Sequence, residues 1–417
     1  LSHETLSARL RALDRASPQF AVDAVAVLLD EARRAGASDV HLHPTPEGLE
    51  VRWRLDGVLL HGATLPAALA SNVVARLKVL AGLLTYKNDI PQEGRIRGTG
   101  VGEAESRVSV FPTLHGERAV VRLFADSGRF HTLDDLGLPD DVRASLVQAL
   151  AETSGAVIVA GPAGSGKTTT LYACLRHLAS GGNDADSYLG RSLATLEDPI
   201  EVAVPGVSQS QVNPAAGFTL ESGLRSILRQ DPEVIGVGEI RDRPTAEAAM
   251  QAALTGHLLL TTFHAGGAAG ALGRLLDMGI EPYVIRSAVR LVVFQRLARK
   301  LCTCARPPRD PAEHLGFEGD AVRVASGCDL CRHTGYLGRI ALAEAASPTH
   351  GALGQAVLAR RDVDELEAAA RHDGVISRFQ RARHAVLAGL TSPAEAVRVL
   401  GIDVLNSHPN AEIRPTP

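Results

Sequence analysis

The sequence predicts an α/β protein in which a largely parallel, helix-flanked sheet surrounds a phosphate-binding loop, with a small α+β region before it and a helical region after it. Three observations carry this. Short aliphatic runs at 156–161, 192–198, 233–239 and 257–265 each end in Gly, Pro or polar residues and are separated by helical stretches, the pattern of buried parallel strands. The first run leads directly into Gly161-Pro162-Ala163-Gly164-Ser165-Gly166-Lys167-Thr168, which satisfies G-x-x-x-x-G-K-[ST] between a strand and a helix. Within the first 125 residues, the segments 38–60 and 107–124 instead alternate with period two around short turns.

Taken in order, residues 18–36 pattern as an amphipathic helix, and 38–60 alternate around Pro46-Glu47-Gly48 as a hairpin. A helical stretch near 66–84 follows. Residues 107–124 give two more alternating runs around a turn containing Gly116. The polar stretch 125–141 reads as a hinge, and the parallel core occupies 142–300. Residues 181–191 read as an exposed loop, 350–401 are alanine-rich and helical, and the tail after 404 is expected to be disordered.

Composition narrows the classes. A chain of 417 residues has room for two or three domains, and 22% charged with 45% apolar residues is ordinary for a folded globular protein. Against 47 acidic side chains there are 43 basic ones, a net charge of −4, which lacks the strong field of a nonspecific nucleic-acid binder. Lysine occurs only at Lys78, Lys87, Lys167 and Lys300, so a motif that keeps its lysine gains weight. No apolar run approaches the roughly 18 residues that span a bilayer, and LSHETLSARLRALDR lacks the apolar core of a secretory signal. A cytoplasmic protein is the expectation, with Leu1 an unusual first residue that suggests a processed, trimmed or misassigned start.

The glycines of 161–168 let successive backbone N–H groups face phosphate oxygens, and the following helix adds the positive end of its dipole. Lys167 would reach the β- and γ-phosphates, the Thr168 hydroxyl would ligate Mg²⁺, and Thr169 follows on the same turn. Hydrolysis also needs carboxylates. Glu239 ends the run VIGVG and should emerge at the carboxyl edge of a central strand, where it could polarise water; Glu197 and Asp198 end SLATL in the same way. An acid at a strand end is more often solvated, but two of them downstream of a P-loop favour the nucleotide. His257 and His264 bracket another strand, and each reads equally as a structural histidine or as a sensor of the γ-phosphate. Cys302, Cys304, Cys328 and Cys331 suggest a metal site rather than disulfides, while Cys174 falls on the helix after the P-loop as a core residue.

The segments GPAGSGKTTTLY (161–172), TLEDPIE (195–201), QVNPAAGFTLESGLRSILRQDPEVIGVGEIRD (211–242) and TGHLLLTTFHAGGAAGALGRLLDMGI (255–280) resemble, in the same order, those of type II secretion and type IV pilus assembly ATPases. The resemblance runs from about Ala37 to Gly401. It implies a RecA-like P-loop core at 142–300 and a PAS-like α+β domain at 37–125, preceded by a helical segment at 1–36 and joined to the core by a linker at 126–141. A tetracysteine region at 301–340, a helical region at 341–403 and a tail at 404–417 complete the chain.

By the same resemblance, ATP with Mg²⁺ is the substrate and the chain forms a homo-hexamer. It would sit at the inner face of the cytoplasmic membrane, act on an inner-membrane platform protein and drive pilin or pseudopilin assembly. TLEDPIE corresponds to the Asp box, GEIRD to the Walker B segment with Glu239 as catalytic carboxylate, and TGHLLLTTFHA to the His box. The PAS-like domain implies arginines that reach nucleotide, with Arg95, Arg107, Arg118 and Arg122 as candidates and Arg107 and Arg118 foremost.

The cysteines resemble the family's structural zinc motif of secretion and extension members, four thiolates suiting a closed tetrahedral ion. The first pair departs from the pattern as Cys302-x-Cys304. FHAGGAAGA also replaces the more polar continuation after the second histidine, which makes His264 the weaker of the two. Other readings are a ring helicase or DNA translocase, disfavoured by 4% aromatic residues and a single tryptophan, and a nucleotide-gated scaffold with negligible turnover.

Overall fold

The computed structural model describes residues 3–96, 105–123, 130–181 and 191–406. The chain divides into two compact units, residues 1–127 with 327–334, and residues 128–326 with 335–417.

In the first unit, α1 (His3–Arg11) and α2 (Phe20–Arg34) precede β1 (Asp39–Thr45), β2 (Gly48–Leu55) and β3 (Val58–Leu65). Then come α3 (Ala67–Leu80), β4 (Gln92–Ile96), β5 (Ser106–Thr113) and β6 (Gly116–Leu123). The strands form one antiparallel sheet in the order β3-β2-β1-β6-β5-β4. Alternation decides its faces: Val40, Leu42, Val51, Val108, Val110 and Val121 point to a core shared with Phe20, Ala24, Val25, Leu28 and Ala32 of α2. The hairpin expected over 38–60 is the start of a three-stranded meander. Asp56 and Gly57, with φ of 46° and 83°, turn the chain a second time, as an Asp-Gly pair in a two-residue hairpin loop does.

Lys78 on α3 is fully buried and uses all three of its protons, donating to the Lys87 carbonyl (2.8 Å), Asn88 Oδ1 (3.0 Å) and Glu117 Oε1 (2.7 Å). It pins the segment after α3 to β6.

The second unit contains α4 (Asp140–Leu150), β7 (Gly155–Ala160), α5 (Lys167–Ala179), β8 (Leu193–Glu197), β9 (Ser208–Gln211) and α6 (Leu220–Ile227). It continues through β10 (Val234–Val237), α7 (Arg243–Leu254), β11 (Leu258–Phe263), α8 (Ala268–Asp277), α9 (Pro282–Ala288), β12 (Val289–Leu301) and β13 (Tyr336–Ala346). Five helices close the described chain: α10 (Gly351–Leu358), α11 (Val363–His372), α12 (Arg378–Leu387), α13 (Pro393–Leu400) and α14 (Asp403–Asn406). The sheet order is β13-β12-β7-β11-β10-β8-β9, parallel except for β12 with β13.

Both faces of this sheet are covered, which is why its strands read as continuous aliphatic runs. Ala156 and Ile158 face a core with α7, α8 and the C-terminal helices α10 and α11, whereas Val157, Leu258 and Leu260 face α4 and α5. Cys174 belongs to the second core, where burial pushes its thiol up to about 12.

The thirteen-residue β12 and its antiparallel partner β13 were not anticipated; the tetracysteine stretch is the excursion between them. Asp140 and Asp141 begin α4 rather than closing a linker. Residues 182–190 of the expected loop, 125–129 of the hinge, Phe124 before it and 407–417 of the tail lie outside the described residues. Among the described residues, no helix is long and apolar enough to cross a membrane.

Replacing Lys78 with Ala would remove the buried ammonium that joins half-buried Glu117 to the Lys87 carbonyl and the exposed Asn88, so Lys78→Ala should lower the unfolding free energy of the first unit by about 2 kcal/mol. Urea denaturation followed by the fluorescence of Trp53, the only tryptophan, reads this directly; an unchanged midpoint would refute the anchoring role.

Candidate functional site

Parallel pairing brings the carboxyl ends of β7, β11, β10 and β8 to one edge, and the loops that leave them are bonded to one another. Gly161 N–H donates to the Phe263 carbonyl (3.0 Å), Gly238 N–H to that of Leu196 (2.8 Å), and Ile240 N–H to that of Thr262 (3.2 Å). The Thr262 hydroxyl returns a bond to the Gly238 carbonyl (2.7 Å).

Gly161, Gly164 and Gly166 have φ of 151°, 73° and 89°, a path open to glycine. A Cβ at Gly161 would also lie 2.5 Å from the Gln295 carbonyl oxygen. Pro162, Ala163 and Ser165 fill the intervening positions of the loop. No side chain caps α5 at Gly166, so its first turn presents backbone N–H groups toward the loop. Lys167 is buried on that turn and donates to the Pro162 carbonyl (2.9 Å). Burial pulls its ammonium below the ordinary lysine range, and the charge of Glu239 pushes back. Thr168 is half-buried and Thr169 exposed beside it.

Gln295 was missed in the sequence. Phe294 of β12 pairs with Ala160, the last residue of β7, so the next residue emerges beside the P-loop. Gln295 donates from Nε2 to the Ser165 carbonyl (2.7 Å) and accepts from Thr170 Oγ1 (3.0 Å), bracing the loop on one side and α5 on the other. The available signal was an amide directly after the apolar run LVVF.

Glu239 accepts from Arg241 (3.0 Å) at Oε2, and its Oε1 lies 3.0 Å from His264 Nε2. A carboxylate only accepts here, so Nε2 carries the imidazole proton. Burial, and next the charge of Lys167, hold His264 below the ordinary histidine range against the opposing pull of Glu239. This shift favours the neutral imidazole.

Glu197 is enclosed: Tyr172, Thr195 Oγ1 (2.6 Å) and Gln209 Nε2 (2.9 Å) all donate to it. Burial, then the bond to Glu197, push the Tyr172 phenol far up. Asp198 is half-exposed, 4.0 Å from Arg241.

His257 requires a correction. Leu258 pairs with Gly155 and Phe263 with Ala160, so His257 precedes the amino end of β11, roughly 20 Å along the strand from His264. Its Nδ1 lies 3.0 Å from the Ala252 carbonyl, a turn-closing contact. The order of the two histidines is thus reversed: His264 touches Glu239 and His257 does not share the P-loop edge.

In the first unit, Arg107 is exposed and paired with Glu93, Arg118 Nη2 lies 3.3 Å from His41 Nδ1, and Arg122 bonds Asp39 (3.1 Å). The sulfurs of Cys302, Cys304, Cys328 and Cys331 all lie within 4.8 Å of one another. Cys328 and Cys331 Sγ are 3.7 Å apart, close to the ~3.8 Å edge of a tetrahedron with 2.3 Å metal–sulfur bonds. The shortened C-x-C pair therefore still brings its two thiols into the group, which could hold a metal ion.

A family profile described as "Type II/IV secretion system protein" matches residues 14–398. The chain is 45% identical over 325 residues to type II secretion system protein E of Pseudomonas aeruginosa, covering 76% of this chain and 63% of that protein. It is 35% identical over 395 residues to the type IV pilus assembly ATPase PilB of Thermus thermophilus, covering 92% of this chain and 43% of PilB. The chain thus spans less than two thirds of the length of both relatives. Among solved structures, the ATPase DotB of Legionella pneumophila has a TM-score of 0.62 at 23% identity, covering 89% of this chain and 93% of that one, and shares the fold.

Gln295→Leu keeps the bulk but leaves the Ser165 carbonyl and Thr170 hydroxyl unpaired. Affinity for a fluorescent ATP analogue should fall about tenfold with the melting temperature little changed; unaltered affinity would count against Gln295 as the brace of the loop.

Proposed function

Because this chain belongs to the type II/IV secretion system protein family, we propose that it is an ATP-hydrolysing assembly motor. It would work as a cytoplasmic homo-hexamer, peripheral to the inner membrane, and act on a platform protein there to drive pilin or pseudopilin assembly. The observation that carries this reading is Glu239, held 3.0 Å from His264 at the sheet edge that bears the P-loop.

Phosphate oxygens would take the N–H groups of the loop, and Lys167 Nζ would exchange the Pro162 carbonyl for the β- and γ-phosphates. Thr168 Oγ1 would ligate Mg²⁺ and Asp198 would hold its water shell; the ion supplies charge neutralisation on the phosphates. Glu239 orients the attacking water and takes its proton as the water oxygen bonds to phosphorus and the bond to the β,γ-bridging oxygen breaks, releasing ADP and phosphate. His264 Nε2–H fixes the carboxylate that does this. Glu197, its oxygens occupied by three donors, acts by holding the end of β8 against α5 so that Asp198 is presented to the edge. The tetracysteine group is read as a closed, structural zinc site.

Glu239→Gln should abolish turnover by a factor of about 100 or more while leaving nucleotide affinity within a few-fold, measured by phosphate release and by binding of an ATP analogue. Single-stranded DNA should not stimulate the wild type; strong stimulation would favour a translocase instead. Elemental analysis of protein purified without chelator should give about one zinc per chain, lost in Cys304→Ser. Less than half an equivalent would remove the zinc assignment.

A further inference from the structure

The residues after His264 pose a mechanical problem. Ala265-Gly266-Gly267-Ala268-Ala269-Gly270 carries the chain into α8, and none of these side chains can accept a hydrogen bond from the helix's first N–H groups. Gly267 caps the helix without a side chain. Two glycines between His264 and α8 also leave the histidine loosely tethered through its own backbone.

The missing cap comes from another element. Glu344 pairs with Phe294 across β12 and β13 and is buried, and its Oε2 accepts from Ala268 N–H (3.1 Å). Its Oε1 accepts from Arg378 twice, from the backbone N–H (2.6 Å) and from Nη1 (3.1 Å). One carboxylate therefore ties the start of α8 to the start of α12. Arg378 continues the chain of contacts: its Nη2 lies 3.0 Å from Glu367 of α11, and its guanidinium lies 4.5 Å from the Phe379 ring and 5.7 Å from that of Phe294. The backbone of α8 rests directly on this ion pair, since a Cβ at Gly267 would come within 2.8 Å of Arg378 Nη1 and 3.1 Å of Glu367 Oε1. From the fixed helix, Arg274 Nη1 reaches back to the His264 carbonyl (2.9 Å).

We propose that Glu344 and Arg378 are positioning residues for hydrolysis, fixing α8 and, through Gly267 and Arg274, aligning His264 on Glu239, so that the C-terminal helices α11 and α12 are coupled to the hydrolytic edge. This rests on the reading of His264 and Glu239 given above. Neither residue touches the P-loop elements that hold nucleotide, so their loss should act on turnover and not on binding.

The test is a double-mutant cycle in the full chain. Arg378→Ala should lower kcat about tenfold with KM for ATP within about twofold. Combining Arg378→Ala with His264→Ala should cost no more than His264→Ala alone, an outcome that general destabilisation would not produce. Gly267→Ala, which crowds the same ion pair and leaves every charge in place, should reproduce the loss if Arg378→Ala folds poorly, and Arg378→Lys should restore part of it. Wild-type kcat in folded Arg378→Ala or Gly267→Ala, or multiplicative losses in the double variant, would overturn the inference. If His264→Ala itself turns over normally, the hydrolytic role of His264 falls and the inference with it; if His264→Ala is impaired and Arg378→Ala is not, only the coupling falls.

Discussion

A buried ammonium without a bonded carboxylate is the constraint around which the second unit is built. Lys167 is withdrawn from water, and its Nζ meets a carbonyl oxygen. The uncapped start of α5 adds positive potential of its own. Two like contributions at one place are unfavourable in a folded chain unless the position is meant for an anion. Glu239 relieves part of the imbalance from a distance, and the rest defines what the loop is shaped to receive. Gln295, the β7 and β11 pairing and the glycine path all keep this local excess of positive charge from relaxing.

Sheet geometry does the collecting. In a parallel sheet every carboxyl end faces the same way, so segments far apart in sequence deliver their loops to one edge without any further device. Packing on both faces leaves the strands little freedom to slide, since a one-residue slip would exchange the residues facing α7 and α8 for those facing α4 and α5. The antiparallel β12 and β13 lengthen this frame. Their pairing places Gln295 beside the P-loop and Glu344 beside α8, so two unrelated supports come from neighbouring strands.

How much of this was legible follows from the range of each signal. The P-loop, Glu239 and the four aliphatic runs are local patterns, readable within about ten residues, and they emerge where the spacing puts them. His257 and His264 look equivalent on paper because both flank one strand, and only strand direction separates them: the carboxyl end of β11 lies at the P-loop edge and the amino end does not. Gln295 and Glu344 are polar residues inside strands, and what they support lies 34 or more residues away, so no local pattern marks them. The second turn of the meander was legible and was passed over, since Asp56-Gly57 is itself a hairpin signature.

The two acids expected at the nucleotide differ in what water can do to them. Both accept hydrogen bonds, so occupancy alone does not separate their roles. Glu197 is enclosed by a buried phenol, a buried threonine and a half-buried amide, all neutral donors, and freeing it would leave the phenol and the threonine unpaired at once. Glu239 is instead held by Arg241, whose side chain is 62% exposed, and by a single imidazole. An ion pair with so exposed a partner contributes little, and a water competes with it at small cost. Of the two, only the Glu239 carboxylate can exchange one partner for a water while keeping the other to hold its orientation, which is what a proton acceptor at a hydrolytic site requires.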